Sequence, residues 1–171
     1  MTAPRANFTA TAIPNLPDHF LLVGGDGAAA DSWEIWSPME VIKSGVLKQA
    51  RRHHTASLAA NLEKIFIMGG ENDDGIHTTF EVFNTDTLEF DDAAYFMSSR
   101  TMHTAVYVDT QRFIYLIGGF DDHQHTNLIS NIDVVAGDSC VPENCAPFIW
   151  PPPLTLETPR FRHASVLLDD G

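Results

Sequence analysis

Histidine and aspartate side chains crowd a short segment in the second half of the chain, FDDHQHTN. Asp121, Asp122, His123 and His125 are residue types that bind transition metals, and alternating ligands on a loop can reach one ion. A polar loop in solvent accounts for the same residues without any chemistry. We therefore predict neither a metal nor another cofactor, and keep these residues as candidates for binding a partner.

A glycine- and alanine-rich run, Gly25 to Ala30, imitates the phosphate-binding fingerprint of dinucleotide-binding proteins. That fingerprint needs a helix directly after it, whereas Ser32 to Trp36 alternates like a strand and Pro38 interrupts the segment. Nucleotide binding is therefore not predicted. No serine lies in a Gly-x-Ser-x-Gly elbow, neither cysteine has a catalytic setting, and no pair stands out among the 23 acidic residues. No catalytic residue is predicted.

Acidic residues recur in three loops, each of which follows an apolar segment and a pair of glycines. The loops are expected at 26–31, 71–78 and 120–127. Because they join equivalent strands, they should project from one face, and loops on a rigid scaffold commonly carry binding. An acidic rim favours a basic protein or peptide as partner; the alternative is a merely solvated acidic surface. The candidate binding residues are Asp26, Asp31, Glu71, Asp73, Asp74, Asp121, Asp122, His123 and His125.

The glycine pairs belong to a longer repeat that organises the chain. Segments 51–70 and 100–119 both open with Arg-x-x-His and close with Gly-Gly, and the first glycine follows the histidine by fifteen positions in both. A looser copy lies upstream, with Arg5 as its arginine and Phe8 in place of the histidine. A fourth copy opens at 160–163. The repeat residues are Gly24, Gly25, Arg51, His54, Gly69, Gly70, Arg100, His103, Gly118, Gly119, Arg160 and His163.

Each repeat predicts a β-hairpin followed by further strands. Segments such as Ile65 to Met68 are apolar at consecutive positions, so both faces of the strand must be buried. The glycines should adopt positive φ, and the arginine and histidine should hydrogen-bond loop carbonyls between neighbouring sheets. Strands are expected at 8–13, 20–23, 32–36, 41–43, 54–58, 65–68, 80–84, 88–90, 103–108, 113–117, 129–135, 148–150 and 163–168.

A period near fifty residues, the hairpin and the glycine pair together resemble the kelch repeat of β-propellers. The resemblance implies an all-β fold of four-stranded blades placed radially side by side. A divergent blade would span 1–50, a second 51–99, and a third 100–159, with an insertion that holds both cysteines. The first strand of a further blade would occupy 160–171. Trp150 takes the place where kelch-like units often carry an outer-strand tryptophan.

A closed propeller needs about four to eight blades, so we expect an incomplete ring, a fragment of a longer array. Further blades in cis or from another chain would complete it. The leading hypothesis is a non-enzymatic interaction module or scaffold. One alternative is a fragment of a kelch-propeller enzyme of the galactose-oxidase-like class, although no residues match the cysteine–tyrosine copper centre of such oxidases. The other is a structural repeat segment of a large assembly.

The net charge of −13 and the pI near 4.7 disfavour nucleic acid or an acidic membrane as partner. No apolar run is long enough to span a bilayer, and no signal peptide is visible. A disulfide between Cys140 and Cys145 is geometrically possible and would indicate a secreted protein, while two reduced thiols are equally allowed. The compartment is left open, with an intracellular one slightly favoured.

Overall fold

The structure is a computed structural model that describes residues 1–92, 95–137 and 154–168. This part of the chain is all-β and is built from antiparallel sheets. Its only helical turns are two short 3-10 segments, Gly27–Ala29 and Ala60–Leu62. The first of these is followed directly by a strand rather than by an α-helix, which confirms that the glycine- and alanine-rich run lacks the helix of a dinucleotide site.

Three sheets follow one another along the chain, and each is formed mainly by strands that are neighbours in sequence. Sheet 1 has the order β1-β2-β3-β4, sheet 2 the order β10-β9-β6-β5 with β11 also paired to β9, and sheet 3 the order β12-β13-β14-β15. A small hairpin, β7-β8, lies in the loop of sheet 2. The strands are β1 Thr9–Ala12, β2 Phe20–Val23, β3 Ser32–Trp36, β4 Val41–Val46, β5 Thr55–Ala59, β6 Lys64–Met68, β7 Glu71–Asn72, β8 Gly75–Ile76, β9 Thr79–Asn84, β10 Glu89–Phe90, β11 Tyr95–Phe96, β12 Thr104–Val108, β13 Phe113–Ile117, β14 Asn131–Ala136 and β15 Leu154–Thr155.

The predicted strands are confirmed through β14, with bounds that differ by a few residues. The expected fourth strand of sheet 3, at 148–150, and Trp150 itself lie outside the described residues; β15 pairs with β14 in that place. The prediction of a strand at 163–168 is wrong: the segment lies beside the start of β12, where His163 and Ser165 contact Thr104, but it forms no ladder with any strand of the described chain. Sequence reasoning missed the β7-β8 hairpin and strand β11.

Sheet 2 is buried on both faces, as the consecutive apolar residues of β6 predict. Ile65 and Ile67 pack in a cluster with residues of sheet 1, and Phe66 and Met68 pack in a second cluster with residues of sheet 3. All four side chains are essentially excluded from solvent. Alternate side chains of one strand therefore join the middle sheet to both neighbours, which is the side-by-side packing of sheets that the repeat implies.

The sheets approach each other most closely along their first strands. Strand β5 lies beside both β1 and β12, and Ser57 Oγ donates a hydrogen bond of 3.4 Å to the Ala105 carbonyl oxygen across the second junction. At the opposite edge, Lys43 in β4 forms an ion pair of 2.5 Å with Glu89 in β10. The part of the chain that the structure describes forms an open stack of three sheets rather than a closed ring.

The shared core predicts a large effect of truncating a side chain between sheets. Replacing Phe66, which is 1% exposed, with alanine should lower the free energy of unfolding by about 3–5 kcal/mol through lost burial and a new cavity. Phe20→Ala should cost clearly less, because Phe20 is 36% exposed. Urea unfolding curves measure both values. Equal losses for the two variants would contradict the burial of Phe66 between sheets 2 and 3.

Candidate functional site

The glycine pairs sit at the junctions between sheets and bind the next repeat through the backbone. The N–H of each second glycine donates to the carbonyl oxygen of the arginine that opens the following repeat, at distances of 2.8 to 2.9 Å. Each first glycine has φ between +60° and +66°, and a Cβ there would lie 2.3 or 2.4 Å from the same carbonyl oxygen. The pairs are Gly24-Gly25 with Arg51, Gly69-Gly70 with Arg100, and Gly118-Gly119 with Arg160. We call each such contact a joint.

The arginines are anchored inside their own sheets by a carbonyl and a carboxylate. Arg51 donates to the Gly69 carbonyl oxygen at 2.8 Å and pairs with Glu81 at 2.9 Å. Burial lowers the pKa of Arg51, and the charge of Glu81 partly offsets this effect. A buried guanidinium requires such partners, since an unpaired buried charge is costly. The same arrangement recurs for Arg5 with Gly24 and Glu34, and for Arg100 with Gly118 and Asp133.

Sequence reasoning missed the carboxylates that hold these arginines. Their signal was available: each is a single acid inside an otherwise apolar third strand, as in SWEIW, FEVF and IDVV. Their register is also constant, because Glu34, Glu81 and Asp133 each pair with the residue two positions before a first glycine. The acids were counted in the net charge but not assigned to the repeat.

The histidines of the repeat bind a threonine of the preceding sheet, and the expectation that they reach loop carbonyls is wrong. His54 Nε2 lies 2.9 Å from Thr9 Oγ1, and His103 Nε2 lies 3.1 Å from Thr55 Oγ1. His163 makes the equivalent contact of 2.9 Å. In each repeat the threonine comes directly after the histidine position and begins the first strand. The histidine of the following repeat reaches its hydroxyl from there. The arginines do donate to carbonyl oxygens, but these belong to their own sheets, so the expectation of a side-chain bond between sheets is wrong for them too.

Burial keeps the two inner histidines neutral. It lowers the pKa of His54 to about 3, with a further contribution from the charge of Arg51. The pKa of His103 is also well below its ordinary value, for the same reason and through Arg100. The Nδ1 atoms of both rings are buried without a hydrogen-bond partner. A neutral ring that is protonated at Nε2 leaves only a lone pair unsatisfied there, which costs less than burying a charged N–H.

On the loop face, Glu71 is a buried acceptor rather than part of an exposed acidic rim. Glu71 is 2% exposed, and its two carboxylate oxygens accept hydrogen bonds from His53 Nδ1 at 3.0 Å and His125 Nε2 at 2.7 Å. Burial acts to raise the pKa of Glu71, but the hydrogen bonds from His125 and His53 outweigh it and the net pKa is lowered. Glu71 therefore fastens the loop of sheet 3 to sheet 2.

Arg52 draws the acids of the first two loops together. Its guanidinium lies 3.1 Å from Asp73, 3.6 Å from Glu71 and 3.8 Å from Asp26. Asn7 also donates to Asp26, at 2.7 Å. A cleft of about 280 Å³ opens here between sheets 1 and 2, and Arg52 and Asp73 are among its lining residues. Three of the predicted binding residues thus share one cation, and His125 joins them through Glu71.

The acids of the third loop shape that loop. Asp122 accepts hydrogen bonds from the backbone N–H groups of Thr126 at 2.9 Å and Asn127 at 2.7 Å. The side-chain hydrogen bond from Thr126, followed by the Asn127 N–H, lowers the pKa of Asp122. Asp121 accepts from the Asn127 side chain at 2.5 Å. The remaining predicted residues, Asp31, Asp74 and His123, are exposed.

Three further features of the sequence analysis concern the cysteines, metal binding and membrane spans. Cys140 and Cys145 lie outside the described residues. Within residues 1–92, 95–137 and 154–168, no group of three or more histidine, cysteine, aspartate or glutamate side chains is arranged to hold a metal ion. In the same ranges no helix has the length and apolar character needed to cross a membrane.

No family model matches the chain, and no curated protein matches it. The functional assignment therefore depends on the repeat, the three sheets and the geometry of the loop face.

The joints predict that alanine substitution destabilises the protein to different extents at two glycines that share a backbone conformation. Gly24 (φ +61°) and Gly27 (φ +68°) are both left-handed, but only at Gly24 would a Cβ meet other atoms. Gly27→Ala should cost about 1–2 kcal/mol of unfolding free energy from backbone strain. Gly24→Ala should cost at least about 2 kcal/mol more, because its methyl group collides with the Arg51 carbonyl. Chemical denaturation compares them, and similar losses would refute the joint.

The neutral histidines predict a loss of stability in mild acid. Unfolded His54 takes up a proton near its ordinary pKa of 6.5, whereas the folded residue does so only at about 3. Between these values the unfolded state binds more protons, so stability falls as the pH falls, by about 1.4 kcal/mol per pH unit per histidine. Unfolding free energies measured between pH 7 and pH 4.5 should show a shallower slope for His54→Gln. Parallel profiles for the two proteins would exclude this contribution.

Proposed function

We propose that the three sheets are blades of a kelch-type β-propeller. Three features support this proposal: each sheet has four or five antiparallel strands with one order of connection, the first strands lie together, and the same joint links neighbours. The stack of three sheets would be part of a ring whose remaining blades come from the same or another chain. In this proposal the blades span 1–50, 51–99 and 100–159, and each later blade opens at the arginine of its repeat.

The chain's function, we propose, is to bind a protein or peptide through the loops of one propeller face. The observation that carries this is the continuous network across the three glycine-pair loops. Asp26 and Asp73 meet at Arg52, and Glu71 connects to His125 in the third loop. Loops held by such contacts on a rigid stack of sheets present a preorganised surface, and preorganisation reduces the entropic cost of binding.

A basic partner suits the carboxylates of this face that are exposed to solvent. Asp73 is 94% exposed although it touches Arg52, and Asp74 beside it is also exposed. Glu71, in contrast, is buried and occupied by two histidines. The contacts to a partner's lysine or arginine would therefore come from the tip of the β7-β8 hairpin, where the carboxylates project into solvent. The net charge of −13 would add long-range attraction for such a partner.

Charge reversal tests the hairpin as the contact site. The double variant Asp73→Lys, Asp74→Lys should bind an array of lysine- and arginine-rich peptides at least about tenfold more weakly than the unchanged protein, because attraction becomes repulsion. Fluorescence anisotropy gives the dissociation constants, and added salt should weaken the binding of the unchanged protein.

The matched control makes the same change of charge at two acidic residues outside the three loops. Asp86 and Asp109 are exposed acids in strand-connecting turns, of β9-β10 and β12-β13, and outside the three loops. Asp86→Lys, Asp109→Lys should leave peptide binding within about twofold of the unchanged protein, since these charges lie far from the loop face. Equal weakening by both double variants would show that only the net charge matters and would contradict the hairpin as contact site. Failure of the unchanged protein to bind any basic peptide would contradict the proposed function.

A further inference from the structure

The outer face of sheet 1 has the residue pattern of a buried junction. In the second strand of sheets 2 and 3, the residues two and four positions before the first glycine pack toward the preceding sheet; they are Ile67 and Ile65, and Leu116 and Ile114. The corresponding residues of sheet 1 are Leu22 and Phe20. These two line an open apolar groove of about 370 Å³ together with Phe8 and Trp36. Further out on this sheet, Ile42 and Val46 are 41% and 71% exposed.

The outer face of sheet 3 has the complementary pattern. Residues one and three positions before the first glycine pack toward the following sheet, as Phe66 and Met68 do from sheet 2. The corresponding residues of sheet 3 are Tyr115 and Ile117, which have no sheet beside them in the described chain. Tyr115 lines a groove of about 300 Å³ with Val134 and Leu154. The two ends of the stack thus carry the two different halves of the interface that is used twice inside it.

We infer that sheet 1 of one copy of this chain docks on sheet 3 of a second copy, head to tail, and extends the stack. The same positions that form both internal interfaces face no sheet of the described chain at the two ends, where Phe20 is 36% exposed, Leu22 is 5% exposed, and Tyr115 and Ile117 are half-buried. Because the two faces differ, the contact is heterologous and joins the front of one copy to the back of the next. This inference depends on sheet packing and not on partner binding by the loops.

The size of the faces makes this association weak. Four strands about 4.8 Å apart and about five residues long at about 3.3 Å each span on the order of 300 Å² in projection. Stable interfaces bury about 800 Å² of accessible surface on each partner, and weaker encounters bury less. Self-association should therefore depend on protein concentration.

The segment 160–168 occupies the place that a docking copy needs. Its Arg160 carbonyl and His163 ring complete the joint at Gly119 and Thr104, as the opening of a following sheet would. A docking copy brings its own opening segment, 5–12, to the same position. One of the two segments must leave.

The weaker anchoring of 160–168 decides which segment leaves. Strand β1 forms a four-residue ladder with β2, and Arg5 is held by the Gly24 carbonyl and Glu34. Segment 160–168 has no ladder, the Arg160 side chain is exposed, and Val166 is 80% exposed. The segment is therefore a displaceable cover over the docking position of sheet 3.

Complementing variants test the head-to-tail contact. Sedimentation velocity of the full chain over two decades of concentration should show a rising average mass. Phe20→Glu damages only the face of sheet 1 and Tyr115→Glu only that of sheet 3, so each variant alone should stay monomeric. An equimolar mixture should form dimers, because each variant retains the face that the other lacks. Circular dichroism confirms that both variants are folded.

Two further variants separate this contact from general effects. Thr87→Glu adds the same charge to an exposed turn of the middle sheet and should associate like the unchanged chain. His163→Ala removes a bond of the covering segment to Thr104 and should shift association to lower concentrations. A chain that stays monomeric throughout, a mixture that forms no dimers, or a single-face variant that still associates would overturn the inference. Peptide binding by the loops is measured separately and is unaffected by these outcomes.

Discussion

The structure depends on the bond between a glycine N–H of one sheet and the arginine carbonyl of the next. The bond is short because the preceding glycine has no Cβ, which would otherwise fall within 2.4 Å of that oxygen. The same arginine then turns its guanidinium into its own sheet and pairs with a carboxylate there. A single residue thus sets both the distance between neighbouring sheets and the register within one of them. Side chains of the core fill the space that this backbone contact defines.

The repeat opening also explains where the loop chemistry comes from. In the tetrapeptide 51–54 the outer residues, Arg51 and His54, are buried in the joint, while Arg52 and His53 between them reach Glu71 and its neighbours. In the tetrapeptide 100–103 the two middle residues are Thr101 and Met102, which carry no charge. The first and last positions of the motif build the scaffold, and the two positions between them decide which polar groups the face presents.

Much of the fold could be predicted from sequence, because strands that are apolar on both faces, and glycine pairs that recur with a period near fifty residues, leave few alternatives. The side-chain hydrogen bonds between sheets could not be predicted. Nothing in the local sequence indicates that Thr9 contacts His54, since the contact is made only when two sheets are stacked. The burial of Glu71 was missed for a similar reason. Its partner His125 lies 54 residues away, and a carboxylate in a polar loop has the same local pattern whether it is solvated or enclosed.

The burial of sheet 2 on both sides has a consequence for how the molecule unfolds. In a stack where each layer contacts only its neighbours, stability is approximately a sum of layer and nearest-neighbour contributions. The middle layer has two such neighbours, and each end layer has one in the described chain. Amide hydrogens of β6 and β9 should consequently exchange slowest, and opening should begin at the ends and travel inward. In this respect the chain behaves as a short array of sheets in which the end sheets unfold first and the middle sheet last.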